Sequence, residues 1–143
     1  MKNNKLFVCI FVFCFALLLG GCGKEKMLNC KTTTSGVDVG FNVKFTGNRI
    51  DDIDITYDMD LSSYSDIHIQ AVGKQDFCKV IKSSMPQYKE AFEDCKQDIT
   101  NKKLHVSAEL DIDKIAKNEL QKFSSVKSAK SGLEKVGYTC EIN

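Results

Sequence analysis

The chain has 143 residues, 20 Lys and Arg against 19 Asp and Glu, and no tryptophan. With a net charge of +1 and a single arginine, Arg49, it lacks the basic surplus that drives binding to nucleic-acid phosphates. Composition therefore disfavours a nucleic-acid-binding role, and the length is that of one small domain plus a leader.

The N-terminus has the three parts of an export signal in order. Lys2 and Lys5 precede an unbroken apolar run over residues 6–19, and Leu19-Gly20-Gly21-Cys22 follows. A helix made of this run is about 21 Å long, short of the roughly 30 Å hydrocarbon core of a membrane. A permanent transmembrane anchor is therefore the weaker interpretation.

The Leu-Gly-Gly-Cys segment that ends at Cys22 resembles the lipobox of bacterial lipoproteins. The resemblance implies that residues 1–21 are removed, that the Cys22 thiol carries a diacylglycerol, and that residues 22–26 are a lipidated tether. Residues 27–143 then form one extracytoplasmic domain, held at the cell membrane by acyl chains. An ordinary signal peptide that happens to end near a cysteine is the alternative.

The cysteine count fits an exported domain. Cys9 and Cys14 leave with the signal and Cys22 takes the lipid, so four of the seven remain: Cys30, Cys78, Cys95 and Cys140. An even number of cysteines in a small exported domain predicts two disulfides, for which three pairings exist. The absence of CxxC spacing argues against a structural zinc site or a thioredoxin-like motif.

The first half of the domain has strand periodicity. Residues 27–33 are strand-like and end at a Ser35-Gly36 turn. Residues 37–46 and 52–61 then alternate strictly between apolar and polar side chains, with Gly47-Asn48 between them. This pattern predicts a hairpin of strands with one buried and one solvated face.

The second half mixes helix and strand signals. Residues 62–73 are polar and predict a loop; helical spacing begins at Lys74, and Pro86 is expected to break that helix. A strand is predicted around residues 92–99, and residues 104–113 alternate again. Two short amphipathic helices over 114–136, a C-cap at Gly137 and a strand over 138–142 complete the chain.

Together these elements predict an α+β fold: an antiparallel sheet of about five or six strands with helices packed on one face. Cys30 and Cys140 fall on the buried side of the first and last strands, which favours their pairing. Cys78 and Cys95 then join the long helix to the strand after it. The other two pairings remain open on sequence grounds.

The order of elements resembles the YehR-like small bacterial lipoproteins, a family of uncharacterised function. The resemblance covers most of the mature chain and lies in the lipobox and in four short segments: Asn48-Arg49-Ile50, residues 101–104, residues 109–114 and Gly137-Tyr138. It implies a sheet-and-helix domain at a membrane surface and supplies no active site. The four cysteines of the mature domain depart from the family pattern.

A set of acidic side chains is the most distinctive polar feature of the sequence. They lie on one face of the second hairpin strand and on the same kind of face of the strand predicted over 104–113: Asp52, Asp54, Asp58, Asp60, Glu109, Asp111 and Asp113. If the strands are neighbours, the carboxylates could converge on a hard cation such as Ca²⁺. Since no EF-hand-like loop is present, a solvated sheet face is the favoured interpretation and no metal site is predicted.

Catalytic signatures are missing from the sequence. His68 is expected in a loop and His105 on a solvated strand face, and no GxSxG elbow, GxGxxG or P-loop motif accompanies them. We therefore expect a non-enzymatic binding or interaction module without a cofactor. Its expected partners are the membrane, through the lipid, and an envelope protein or small ligand. Capture of a small molecule or cation is the main alternative, and a hydrolase is the third.

Overall fold

The computed structural model describes residues 23–143, where one antiparallel sheet carries helices on one face. Its strands are β1 (Glu25–Thr34), β2 (Val37–Thr46), β3 (Arg49–Asp60), β4 (Phe92–Thr100), β5 (Lys103–Leu110) and β6 (Thr139–Ile142). The α-helices of this region are α1 (Asp66–Gly73), α2 (Phe77–Ser84), α3 (Lys117–Leu120) and α4 (Val126–Lys135). Short 3-10 helices span Pro86–Ala91, Ile112–Lys114 and Gln121–Phe123. The α+β prediction is confirmed.

The strand order is β4-β5-β3-β2-β1-β6, and every neighbouring pair is antiparallel. The β1–β2 turn has Ser35 at φ 53° and Gly36 at φ 79°, the left-handed pair that matches the twist of a two-residue hairpin. At the opposite end of the sheet, Gly47 (φ 63°) turns the chain from β2 into β3. Both turns lie where the sequence predicts them.

The core lies between the sheet and the helices. Strand residues of alternating parity face it, among them Leu28, Phe45, Ile55 and Val106. Ile81 of α2 packs with Leu104 and Val106 at one end, while Val126 and Ala129 of α4 pack against β1 and β2 at the other. The second face of the sheet carries the polar residues and has no helix over it within residues 23–143. The alternation therefore assigned the buried face correctly.

Two disulfides fasten the periphery to this core. Cys30 stands opposite Cys140 in the β1–β6 register and is bonded to it, so the bridge closes a sequence separation of 110 residues. Cys78 of α2 is bonded to Cys95 of β4, across 17 residues. Strand parity favours the first of these bonds, and the second joins the helix and strand expected for the remaining pair.

One polar segment predicted to be a loop contains a helix. Residues 62–73 include α1, whose N-cap Ser65 accepts a hydrogen bond from the backbone N–H of His68. No side chain of α1 is buried. Ile69 and Val72 are partly buried against the core, so the apolar stripe of this short helix is weak and the Ser65 cap is the clearer local signal for it.

The acidic alternation ends earlier than predicted. β5 stops at Leu110, and Asp111 becomes the N-cap of the 3-10 helix Ile112–Lys114, where its side chain accepts from the N–H of Asp113. Asp111 and Asp113 are thus outside the sheet, which corrects the prediction that they share a strand face with Glu109. A short polar side chain that can bond its own backbone favours this departure from the strand.

The start of the sheet also differs from the prediction. β1 begins at Glu25 rather than near residue 27, and the carbonyl of Lys24 accepts from the N–H of Gly47 at 3.3 Å. Only the residues before Glu25 can therefore act as the tether predicted for residues 22–26. The predicted signal, residues 1–21, and the lipidation candidate Cys22 lie outside the described residues.

No helix within residues 23–143 is long and apolar enough to cross a membrane.

Candidate functional site

An apolar cavity of about 240 Å³ lies between the sheet and the helices of the C-terminal third. Phe41 and Val43 of β2 and Ile53 of β3 form its floor, because these positions face the core. The remaining walls come from the chain segments that cross above the sheet and from the end of β5: Tyr88, Leu110, Ile115, Glu119, Leu120, Phe123, Leu133 and Tyr138. The floor of the cavity is thus formed by β-strands, and its roof is formed by short helices.

Aromatic side chains shape one wall of the cavity. The rings of Phe41 and Tyr138 pack edge to face, with centroids 5.6 Å apart and planes at 76°. This arrangement is the favoured one for aromatic pairs and exposes ring faces and edges to a neighbouring apolar group. Burial raises the pKa of the Tyr138 phenol above its usual value. The hydroxyl is consequently neutral at physiological pH.

A polar pair interrupts the apolar lining. The hydroxyl of Tyr88 donates to Oε2 of Glu119 at 3.1 Å, and the Lys122 ammonium donates to both carboxylate oxygens at 2.9 and 2.7 Å. The Lys122 hydrogen bonds lower the pKa of Glu119, while burial, followed by the bond to Glu119, raises the pKa of Tyr88. Near neutrality the pair is therefore a carboxylate and a phenol.

A second apolar depression of about 320 Å³ lies at the other end of the same sheet face. Its walls are β2, β3, β5 and α2, and they include Val39, Tyr57, Leu104 and Val80. Apolar side chains dominate it, whereas the first cavity combines apolar walls with a placed polar pair. Ligand sites usually have that combination, which makes the first cavity the better candidate.

The acidic side chains of the sheet lie on its open face, as predicted, but several stand opposite lysine or histidine side chains. In the strand register, Asp52 stands opposite Lys44, Asp58 opposite His105 and Asp60 opposite Lys103. Glu109 is paired with Asp54. Within residues 23–143, no group of three or more His, Cys, Asp or Glu side chains is arranged to hold a metal ion.

Like charges raise the pKa values of the carboxyl groups around Glu109 on the open face. The charge of Asp52 raises the pKa of Glu109, and burial, followed by Asp52, raises that of Asp54. By contrast, Asp111 is bonded to Lys114, which lowers its pKa. The register also places Glu93 opposite Glu109, and its charge adds to the repulsion that a solvated acidic face produces.

The two histidines have separate environments. Nδ1 of His105 lies 2.6 Å from a carboxylate oxygen of Asp58 on the open face. Nδ1 of His68 lies 2.7 Å from the hydroxyl of Ser65, at the start of α1 rather than in the predicted loop. Among the hydrogen bonds of the described residues, neither histidine joins a Ser-His-Asp array. The arrangement is that of surface side chains.

Sequence analysis placed Phe41 on the apolar side of a predicted strand without assigning it to a cavity. It did not single out Glu119 or Leu133. For Glu119 and Leu133, the sequence offers only the amphipathic pattern of residues 114–136. That pattern predicts helices over the sheet but not the cavity beneath them. The cavity depends on how far those helices stand from β2 and β3.

No family model matches the chain, and no curated protein is significantly similar to it in sequence. A protein from Streptococcus pneumoniae TIGR4, solved by NMR, has a similar structure, with a TM-score of 0.50 and 9% identity over 83% of this chain and 86% of that one. The YehR protein of Escherichia coli, also solved by NMR, aligns with a TM-score of 0.46 and 14% identity over 84% and 92% of the two chains. The pneumococcal likeness concerns the fold alone.

Proposed function

We propose that this chain is a lipid-anchored, extracytoplasmic binding module without enzymatic activity, and that the cavity between β2, β3 and the C-terminal helices is its ligand site. The main support for this ligand site is the combination of an apolar cavity with one polar pair, Tyr88 and Glu119. Export is supported by the lipobox-like segment ending at Cys22 and by two disulfides, which persist in oxidising compartments. Membership in the YehR-like lipoproteins is part of this proposal.

The size of the cavity limits the ligand. An apolar cavity of about 150 Å³ is enough to bind benzene. The volume of about 240 Å³ therefore suits a bicyclic ring or a short branched chain rather than a large molecule. Because Glu119 is an ionised acceptor, a ligand with one hydrogen-bond donor and an otherwise apolar body fits best.

The protonation states favour binding over catalysis. A general acid or base works best when its pKa lies near the operating pH. The pKa of Glu119 is lowered and those of Tyr88 and Tyr138 are raised, so each shift moves the pKa of the group further from neutral pH. These groups can orient a ligand but are poorly matched to proton transfer at physiological pH.

Indole tests the cavity directly, because the chain has no tryptophan and free indole is the only indole fluorophore present. We expect saturable binding, with a Kd on the order of 1 mM or tighter for a ligand of about nine heavy atoms. Leu133→Phe, which fills the cavity, should weaken binding at least about tenfold, the equivalent of about 1.4 kcal/mol. The titration is followed by the blue shift and polarisation of indole emission.

The matched control is Leu104→Phe, the same exchange in the second depression. It should leave indole affinity within about twofold of the parent protein, since the two cavities share no lining residue. Thermal unfolding of both variants verifies that they fold. Equal affinity in Leu133→Phe and the parent protein would show that indole does not enter the proposed site.

Cys22→Ala tests the anchor. Without the thiol that accepts the lipid, we expect the full-length precursor to accumulate and to incorporate no labelled acyl chain. Metabolic labelling with an alkyne fatty acid, followed by gel analysis, measures both effects. Cys14→Ala, within the apolar run, is the control and should label normally. Acyl labelling of the Cys22→Ala protein at the parent level would refute the lipoprotein assignment.

An envelope protein is a second candidate partner, and the open sheet face favours it. That face spans the sheet, carries both signs of charge and has no helix over it within residues 23–143. In-cell lysine crosslinking, with Asp58→Lys as a charge-reversing variant, tests this alternative. A crosslinked envelope protein that is lost in the variant supports it; an identical pattern in both proteins contradicts it.

A further inference from the structure

The start of the described chain is packed against one end of the sheet. A Cβ built on Gly23 would stand 2.6 Å from the backbone N of Gly47, so no side chain fits there. The Lys24 carbonyl accepts from the Gly47 N–H, and β1 begins one residue later. Gly23, the first described residue, is therefore in contact with the Gly47–Asn48 turn, and the residue before it is bonded directly to this point.

An apolar groove of about 400 Å³ opens at this same end. Asn48, Arg49 and Ile50 form one side of it, directly after the turn against which Gly23 packs. The other side consists of residues from the 3-10 helix Ile112–Lys114 and the segment around α3: Ile112, Lys117, Leu120, Gln121, Phe123 and Ser124. The groove is thus adjacent to the point where the 22 preceding residues join the domain.

The groove and the ligand cavity have a common wall. Leu120 and Phe123 line both of them, and each is only partly buried. Both side chains belong to a short helical segment, α3 and the turn after it, rather than to the sheet. A chain lying in the groove would therefore contact the side chains that close the cavity.

We propose that this groove receives an acyl chain of a bilayer phospholipid and that the Gly47–Asn48 end of the domain rests on the membrane. The inference rests on the proposed lipid anchor at Cys22. Because Cys22 is bonded directly to Gly23, which contacts Gly47, the anchor brings this end, and not the far end near Tyr64, to the lipid surface. The ligand cavity then opens toward the membrane through Leu120 and Phe123.

Charge does not drive this contact. Of the two cations that line the groove, Arg49 is bonded to Asp51 through Nε at 3.0 Å and Nη2 at 2.9 Å, and Lys117 is exposed to solvent. A pocket with several carboxylates adjoins the groove across Ile50 and Ile112. The mature domain also has no net positive charge to attract anionic lipids. Insertion should therefore depend on the apolar lining and on the anchor, and it should not require anionic headgroups.

Tryptophan reporters test the orientation, since the chain contains no other tryptophan. Gln121→Trp places an indole at the exposed rim of the groove, and Phe123→Trp places one in its wall. Tyr64→Trp, a partly exposed aromatic position at the far end, is the matched control. The lipidated proteins are purified from bacterial membranes and reconstituted in phosphatidylcholine vesicles with brominated acyl chains.

Both groove reporters should be quenched at least about fivefold more strongly than Tyr64→Trp, because bromine on the acyl chains quenches an indole only at short range. Equal quenching at both ends, or none in the groove, would overturn the inference. Gln121→Trp replaces an exposed side chain, so it reports even if Phe123→Trp destabilises the fold. Vesicle flotation separates the proposals: protein that does not float refutes the anchor, whereas floating protein without groove quenching refutes only this inference.

Discussion

Replacing Cys30 and Cys140 together by alanine is expected to lower the free energy of unfolding by about 4 to 5 kcal/mol. The bridge closes 110 residues, nearly the whole domain, so its loss releases a large loop entropy in the unfolded chain. It also removes the covalent link between β1 and β6, a strand of only four residues at the edge of the sheet. Because small domains are stable by about 5 to 15 kcal/mol, this loss brings the fold close to its limit.

The second disulfide provides the matched comparison. Cys78 and Cys95 are 17 residues apart, so their double alanine variant should lose only about 3 kcal/mol by the same entropy argument. Urea unfolding measures both variants, and the m-value should rise more without Cys30–Cys140 because the unfolded chain becomes more expanded. Equal losses in the two variants would contradict the loop-entropy explanation and indicate that local strain or packing dominates.

Phe45→Ala is expected to destabilise the domain by about 3 to 5 kcal/mol. Phe45 is fully buried on β2, a central strand, and is among the largest buried side chains of the described chain. Removing its ring leaves a void in the cluster that joins β1, β2 and β3 to α4, and a β-sheet cannot easily collapse around such a void.

Phe77→Ala serves as the control for aromatic truncation. Phe77 is only partly buried at the start of α2, and the neighbouring Cys78–Cys95 bridge holds that helix to β4 without it. We expect a loss of about 1 to 2 kcal/mol, less than half that of Phe45→Ala. The comparison is made from urea unfolding midpoints at constant m-value. A larger loss at Phe77 would show that the α2 end, rather than the β1–β3 end, dominates the stability of the core.

Alternation along the chain was enough to predict β2, β3 and β5, because a strand with one solvated face must place apolar residues at every second position. The same parity placed Cys30 and Cys140 on one buried face, which favoured the bond that the structure contains. Where the apolar pattern is short and only partly buried, this reasoning failed. α1 buries no side chain and begins at the Ser65 cap, so a polar segment predicted as a loop is helical.

The candidate site was less accessible to sequence reasoning than the fold. Phe41 and Tyr138 lie on strands that the sequence predicts, but their edge-to-face contact joins residues almost a hundred positions apart. The Tyr88–Glu119 hydrogen bond joins two short helical segments. The distance of these segments from the sheet cannot be predicted from the periodicity of their residues. Asp111, predicted to extend the acidic face, caps a turn because its side chain can bond the backbone of Asp113.

The sequence by itself determined the class of fold, the buried face of each long strand, the favoured cysteine pairing and the lipobox-like segment at Cys22, since each depends on local spacing or chain position. Only the tertiary structure decided the cavity, the groove that shares Leu120 and Phe123 with it, and the contact of Gly23 with Gly47. These features are spaces and contacts between elements. Their size depends on how closely the helices pack on the sheet. Residue periodicity predicts which face of an element is buried, but not the distance between two packed elements.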